Sequence, residues 1–240
     1  MPYLNWMILA FILLLTGHSP GKDNRYRFWA GDIPPYSFVD AGQKSQGSLY
    51  QIFQTLVTRM GYDSKVEIVP WKRVLMETQK NSPILFIPAA RSPDREKLYQ
   101  WIEPLMIESF GIFTLPGREQ DMQNKERVRE ARICTLRGSA TEELVKRHQL
   151  SRLEVVATND TCARLLKAGR VEAWLAARRA AFASYAQVGY DPAELRAGLV
   201  LEEWPLYLAA SKAVPEADLQ RWKQEIQKMK SDGTMERLLR

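Results

Sequence analysis

Beyond residue 22 the apolar positions alternate between short continuous runs and helical spacings. "RYRFWA" is aromatic-rich and predicts a first strand. The loop "GDIPPYSFVDAGQKSQG" follows, and its glycines and prolines argue against regular structure. Leu49, Ile52, Phe53, Leu56, Val57 and Met60 then share one helical face, with Gly61 placed to end the helix. "KVEIV", "WKRVLMETQK" and "PILFI" predict strand, helix and strand. Together they make a βαβαβ unit, which implies a mainly parallel sheet with a crevice at the carboxyl ends of its strands.

A second unit of the same kind begins near Phe110. "GIFTL" is a candidate strand, residues 118–130 a charged, solvated connection, and "RICTL" the next strand. "RGSATEELVKRH" opens a helix, with Ser139 and Glu142 at capping-box spacing. "LEVVA" predicts a strand, Asp160 caps the helix "TCARLLKA", Gly169 ends it, and "VEAWLA" is a further strand. Leu219, Trp222, Ile226 and Met229 share one face of a closing amphipathic helix, and "SDGT" is its stop. The pattern favours two similar α/β lobes over one long sheet. Between them lies "AARSPDREKLYQWIEPL", where small residues end a strand and a Ser-Pro-Asp turn carries Arg91 and Arg95.

At 240 residues the chain has room for two lobes of about 100 residues each. Its formal net charge of +6 admits an anionic partner, but the basic residues are interleaved with acids, as in "GREQDMQNKERVREAR". There is no basic stripe, RNA-binding aromatic motif or zinc-finger spacing, so a nucleic-acid partner is not expected. The apolar run at residues 6–15 is about half of the ~20 residues that span a bilayer, and it fits the core of a signal peptide. Residues 1–21 are therefore read as an export signal and the protein as periplasmic, with an uncleaved N-terminal anchor as the alternative. Cys134 and Cys162 are either a disulfide or two buried thiols. With His18 and His148 the only histidines and no CxxC, neither a metal nor a cofactor is expected.

Taken in order, "GDIPPYSFVD", "PWKRVL", "RSPDREKLYQWIEPL", "RGSATEEL", "AGRVEAWLA" and "DGTMERLL" resemble the bacterial extracellular solute-binding proteins of family 3. These are the periplasmic receptors typified by the polar amino-acid binders of ABC transporters. The resemblance implies an α/β, two-lobe periplasmic binding protein fold of type II. Each lobe would be a mixed, mainly parallel sheet flanked by helices, with hinge strands near residues 108–114 and 199–206. Lobe one would comprise residues 22–110 plus 205–240, and lobe two residues 111–204. A solute touching both lobes would stabilise the closed state.

The same resemblance implies site residues. Arg95 corresponds to the arginine that forks onto a ligand carboxylate, a geometry lysine cannot reproduce. By its own surroundings it is a surface arginine within reach of Asp94 or Glu96. Arg91 stands where common amino-acid binders are apolar, and is either a second anion contact or solvent-facing. Gly138, Ser139 and Ala140 correspond to a turn whose backbone N–H groups hold a carboxylate oxygen. Tyr36, Phe38 and Trp71 are expected aromatic walls, with core packing the other reading of Phe38. Ala90 keeps the strand end open to ligand, and Asp32 is either an acid for a basic ligand group or a turn former. The family's acid for an α-ammonium falls at Ala177, which argues against a standard α-amino acid and leaves a carboxylate or other anion.

These features imply a noncatalytic, monomeric receptor that captures a small polar or anionic solute and delivers it to an inner-membrane ABC permease. Two alternatives stand beside it. One is a dehydratase-type enzyme on the same fold, which needs a cleft acid beside the arginine. The other is a sensory ligand-binding module without a transporter.

Overall fold

The computed structural model describes residues 25–239, so the expected export signal lies outside the described residues. The chain runs from β1 (Arg27–Gly31) into a proline-containing loop that carries a small hairpin, β2 (Phe38–Val39) and β3 (Ser45–Gln46). α1 (Ser48–Arg59) buries the predicted face of Leu49, Ile52, Phe53, Leu56 and Val57. Gly61, at φ 83°, lets the chain leave that helix through a left-handed conformation. β4 (Glu67–Val69), α2 (Trp71–Thr78) and β5 (Ile84–Ala90) complete the first βαβαβ unit. β5 continues past the predicted "PILFI" through Pro88, and every residue of it is buried. A 3-10 turn at Pro93–Arg95 then leads into β6 (Gln100–Thr114).

The second unit comprises α3 (Lys125–Glu130), β7 (Ile133–Leu136), α4 (Thr141–Arg147), β8 (Leu153–Val156), α5 (Asn159–Lys167), β9 (Ala173–Ala177) and α6 (Arg178–Gln187). β10 (Arg196–Ala210) returns to the first unit, and α7 (Glu216–Ser231) and α8 (Thr234–Leu239) pack there. Trp222 of α7 is fully buried, its ring 5.5 Å from that of Phe28 and 5.7 Å from that of Tyr62.

One sheet in the order β4-β1-β5-β10-β6-β9-β7-β8 joins both units. β4-β1-β5 and β9-β7-β8 are parallel, while β10 and β6 run antiparallel to their neighbours. The expectation of separate lobe sheets is thus modified: β6 and β10 are long enough to belong to both. β10 pairs with β5 only through residues 206–210, and β6 pairs with β9 only through residues 110–113. At residues 107–109 and 203–205 the sheet therefore narrows to a two-stranded neck. This neck overlaps the expected crossings.

Several local expectations change. The charged connection contains α3, because Asn124 caps it by accepting from the Arg127 N–H at 3.0 Å, and Val128 is buried. Thr158 rather than Asp160 caps α5, accepting from the Thr161 N–H at 3.3 Å. The Ser139–Glu142 capping box does not form: the Ser139 N–H bonds to Leu136 O, and the Ser139 hydroxyl donates to Leu136 O at 2.8 Å and accepts from the Thr141 N–H at 3.3 Å, where α4 begins. The chain continues past "SDGT" into α8. Cys134 on β7 and Cys162 on α5 form a disulfide with Cα atoms 5.5 Å apart, which resolves the two readings of the cysteines.

Candidate functional site

The walls of the site come from the carboxyl ends of β1 and β5, the start of α2, and the β7–α4 and β9–α6 turns. They enclose a cavity of about 60 Å³. Ile33, Tyr36, Trp71, Ala90 and Arg95 line it from the first unit, and Leu136, Ser139, Ala140, Ala176 and Ala177 from the second. Apolar side chains dominate this lining, and it contains no carboxylate.

Trp71 follows Pro70 at the first position of α2 and packs against Gly31, where a Cβ would lie 2.5 Å from Trp71 Cε3. Its indole N–H donates to Gly138 O at 3.1 Å, a side-chain-to-backbone bond between the two units. Arg95 ends the 3-10 turn and is buried. Its Nη2 donates to the same Gly138 oxygen at 3.1 Å, and its Nε donates to Glu143 Oε1 at 2.7 Å. Gly138 thus takes part through its carbonyl, a role opposite to the expected N–H donor. The Ser139 N–H is bonded to Leu136 O at 3.3 Å.

Tyr36 reaches the floor of the cavity, and its hydroxyl donates to Glu108 Oε2 at 2.6 Å. Burial, and then the Glu108 carboxylate, hold the Tyr36 phenol well above its ordinary range. Glu108 lies in the neck and is 1% exposed. Its Oε2 also accepts from Arg179 Nη1 at 2.9 Å, and its Oε1 from the Ser109 N–H at 3.1 Å and the Arg179 N–H at 3.3 Å. This buried acid is therefore tied to the first unit through Tyr36 and to the second through Arg179.

Asp32 lines a second, larger cavity of about 380 Å³ that adjoins the first at Trp71, Leu136 and Asn159, together with Lys72, Arg137, Asp160 and Ser184. Desolvation raises the Asp32 carboxyl above its usual range, and the Asp160 carboxylate adds to the shift. Asp160 is likewise raised by desolvation, with Arg164 opposing.

Two sequence candidates lie elsewhere. Arg91 is held outside the cavity by Glu96, with Nη2–Oε1 at 2.6 Å and Nε–Oε2 at 2.8 Å, and by the rings of Trp101 and Tyr207. Glu96 is thus the partner of Arg91, and Asp94 that of Arg147 at 3.4 Å, so neither acid pairs with Arg95. Phe38 is half-buried on the hairpin opposite Gln46 and does not line the cavity. The residues that sequence reasoning missed are Glu143, Glu108 and Arg179. Each meets its partner across at least 48 residues of chain, so no local spacing marks them.

No helix among the described residues is long and apolar enough to cross a membrane. The family model of bacterial extracellular solute-binding proteins, family 3, matches residues 28–240. None of the curated proteins matches the chain. Among solved structures the chain is similar to a P235GK mutant of ArgBP from T. maritima, with a TM-score of 0.76 and 17% identity, covering 90% of this chain and 93% of that one. It is similar to a histidine kinase sensor domain described as similar to periplasmic binding proteins, with a TM-score of 0.75 and 19% identity, covering 89% and 95%. It is also similar to AncCDT-1, an ancestral amino-acid-binding protein and precursor of cyclohexadienyl dehydratase, with a TM-score of 0.74 and 20% identity, covering 89% and 93%. At these identities the likeness is one of fold. Because the family model covers nearly all of the described residues, the chain belongs to the bacterial extracellular solute-binding proteins of family 3.

Proposed function

We propose that this protein is a noncatalytic receptor that closes two lobes, 22–110 plus 205–240 and 111–204, around one small solute. It acts as a periplasmic monomer and hands the solute to an inner-membrane ABC permease. The observation that carries this reading is the cavity walled from both units and bridged by Trp71 and Arg95 onto Gly138. Tyr36, Trp71, Ala90, Ser139 and Ala140 are the proposed contact residues, with Asp32 in the adjoining cavity.

A thermal-shift screen of the exported protein tests the reading. The panel holds amino acids, dicarboxylates, sugar acids, small peptides, and uncharged amides and lactones. A solute at about 100 times its Kd adds about 2.7 kcal/mol, a rise in Tm of about 5–10 °C for a chain of this size. A response that disappears in Trp71→Ala supports binding in the cleft. A silent screen argues for a different role.

A further inference from the structure

The two adjoining cavities of the cleft carry different charges. Arg95 lines the first and not the second, and the first has no carboxylate in its lining. Within the protein Arg95 uses its Nε hydrogen on Glu143 and one Nη2 hydrogen on Gly138 O. Both Nη1 hydrogens and one on Nη2 stay open for an acceptor, with Ser139, Thr141 and Asn159 in the same lining. The acids lie in the second cavity, Asp32 from the first unit and Asp160 of α5 from the second. Among the described residues neither carboxylate accepts a hydrogen bond or joins a salt bridge, although Lys72 and Arg137 share the lining. Arg137 instead donates from Nη2 to Val155 O at 3.2 Å. Burial holds both carboxyls above their usual range, as expected of acids that the protein does not neutralise. The Ser184 hydroxyl, also in this lining, is fully buried and has no hydrogen-bond partner. A buried hydroxyl without a partner points to a donor that the protein does not itself supply. A solute with its ammonium on the carbon next to its carboxylate would bury that cation in the first cavity, among Ala176, Ala177 and Ala180 and without an acid, which is strongly unfavourable.

We propose that the solute is an ω-amino carboxylate, with its carboxylate on Arg95 in the first cavity and its terminal ammonium in the second, between Asp32 and Asp160. Its methylenes pass Trp71 and Leu136, where the two cavities adjoin, and the Ser184 hydroxyl is a further acceptor for the ammonium. The proposal rests on the receptor reading above and names its substrate class. Specificity then lies in the separation of the two charges along the solute, and the acid that sets it on the second unit is Asp160.

The test is titration calorimetry at about pH 8, where carboxylates and terminal ammonium groups are both ionised. β-Alanine, γ-aminobutyrate, δ-aminovalerate and ε-aminocaproate are compared with the α-amino acids of equal carbon number and with the alkanoates that lack the ammonium. Wild type should bind one member of the ω-series about tenfold or more tightly than its matching α-amino acid and its matching alkanoate. Asp160→Asn and Asp32→Asn, which keep the shape of the side chain, should each weaken that solute about tenfold or more and narrow its advantage over the alkanoate. A variant that merely disturbs the fold would instead lower both affinities alike. The proposal is overturned if an α-amino acid binds more tightly than every ω-amino carboxylate. It is equally overturned if both asparagine variants keep the wild-type affinity for the ω-series. Should the ω-series be silent while another solute of the thermal-shift panel binds, the proposal falls and the receptor reading stands; silence across both sets of solutes overturns both.

Discussion

At the scale of single residues, the site depends on polar groups that meet across long sequence distances. Tyr36 reads from sequence as an aromatic wall; its ring lines the cavity, and its hydroxyl is spent on Glu108. Tyr36→Phe leaves the ring in place and removes one donor from a buried acid, so a loss of about 1–3 kcal/mol in urea unfolding is expected. Gly31→Ala drives a Cβ into the Trp71 ring, which must shift away from Gly138. That variant should fold yet bind solute at least tenfold more weakly, read by titration calorimetry; unchanged affinity would remove Trp71 from the cavity wall. Arg95, Trp71, Ala90 and Ala140, which line the cavity, fall in the short motifs that carry the family resemblance. Glu143 was not legible, because in sequence it is one of two adjacent acids in the first turn of a helix. Only the packed fold shows which of them turns inward.

At the scale of elements, most strands and helices follow from hydropathy period, and the failures share a cause. α6 was not anticipated because its buried face is Ala180, Ala181, Ser184 and Tyr185, too small and mixed to give a periodic apolar signal. α3 hides in a charged stretch with Val128 as its buried anchor. The disulfide fastens α5, whose first residue Asn159 lines the cavity, to β7 beneath it. A bridge spanning 28 residues is worth about 3–4 kcal/mol in the chain-entropy account. A Cys134→Ser, Cys162→Ser double variant should lose about that much in urea unfolding under oxidising conditions; an unchanged midpoint would contradict the account. The α7–α8 junction adds an acid dependence. Hydrogen bonds from Thr234, then Arg59, hold the Asp232 carboxyl down at about 2. The folded state thus binds the proton less readily than the unfolded chain, and this contribution, full above the ordinary carboxylate range, fades as pH falls toward 2. Asp232→Asn should therefore lower stability at neutral pH more than at pH 2.

At the scale of the whole molecule, a single sheet joins the two units but narrows to residues 107–109 and 203–205, and Glu108 sits at that neck. Its bonds to Tyr36 on one side and Arg179 on the other link the two units through one buried carboxylate. Glu108→Gln weakens both attachments. A larger radius of gyration in solution scattering, reversed by solute, is the expected outcome; identical scattering from variant and wild type would show that the neck does not govern closure. The paired βαβαβ pattern made the two units legible from sequence, whereas the shared sheet depends on strand lengths that hydropathy does not delimit. The central claim is that one solute is held in the cavity between the units. The most direct test is calorimetric titration of the solute found by screening into wild type and Ala177→Phe, whose ring would fill the cavity from the β9–α6 turn. One site per chain in wild type and no heat of binding in a folded Ala177→Phe is the predicted result. Equal binding by both proteins would contradict it.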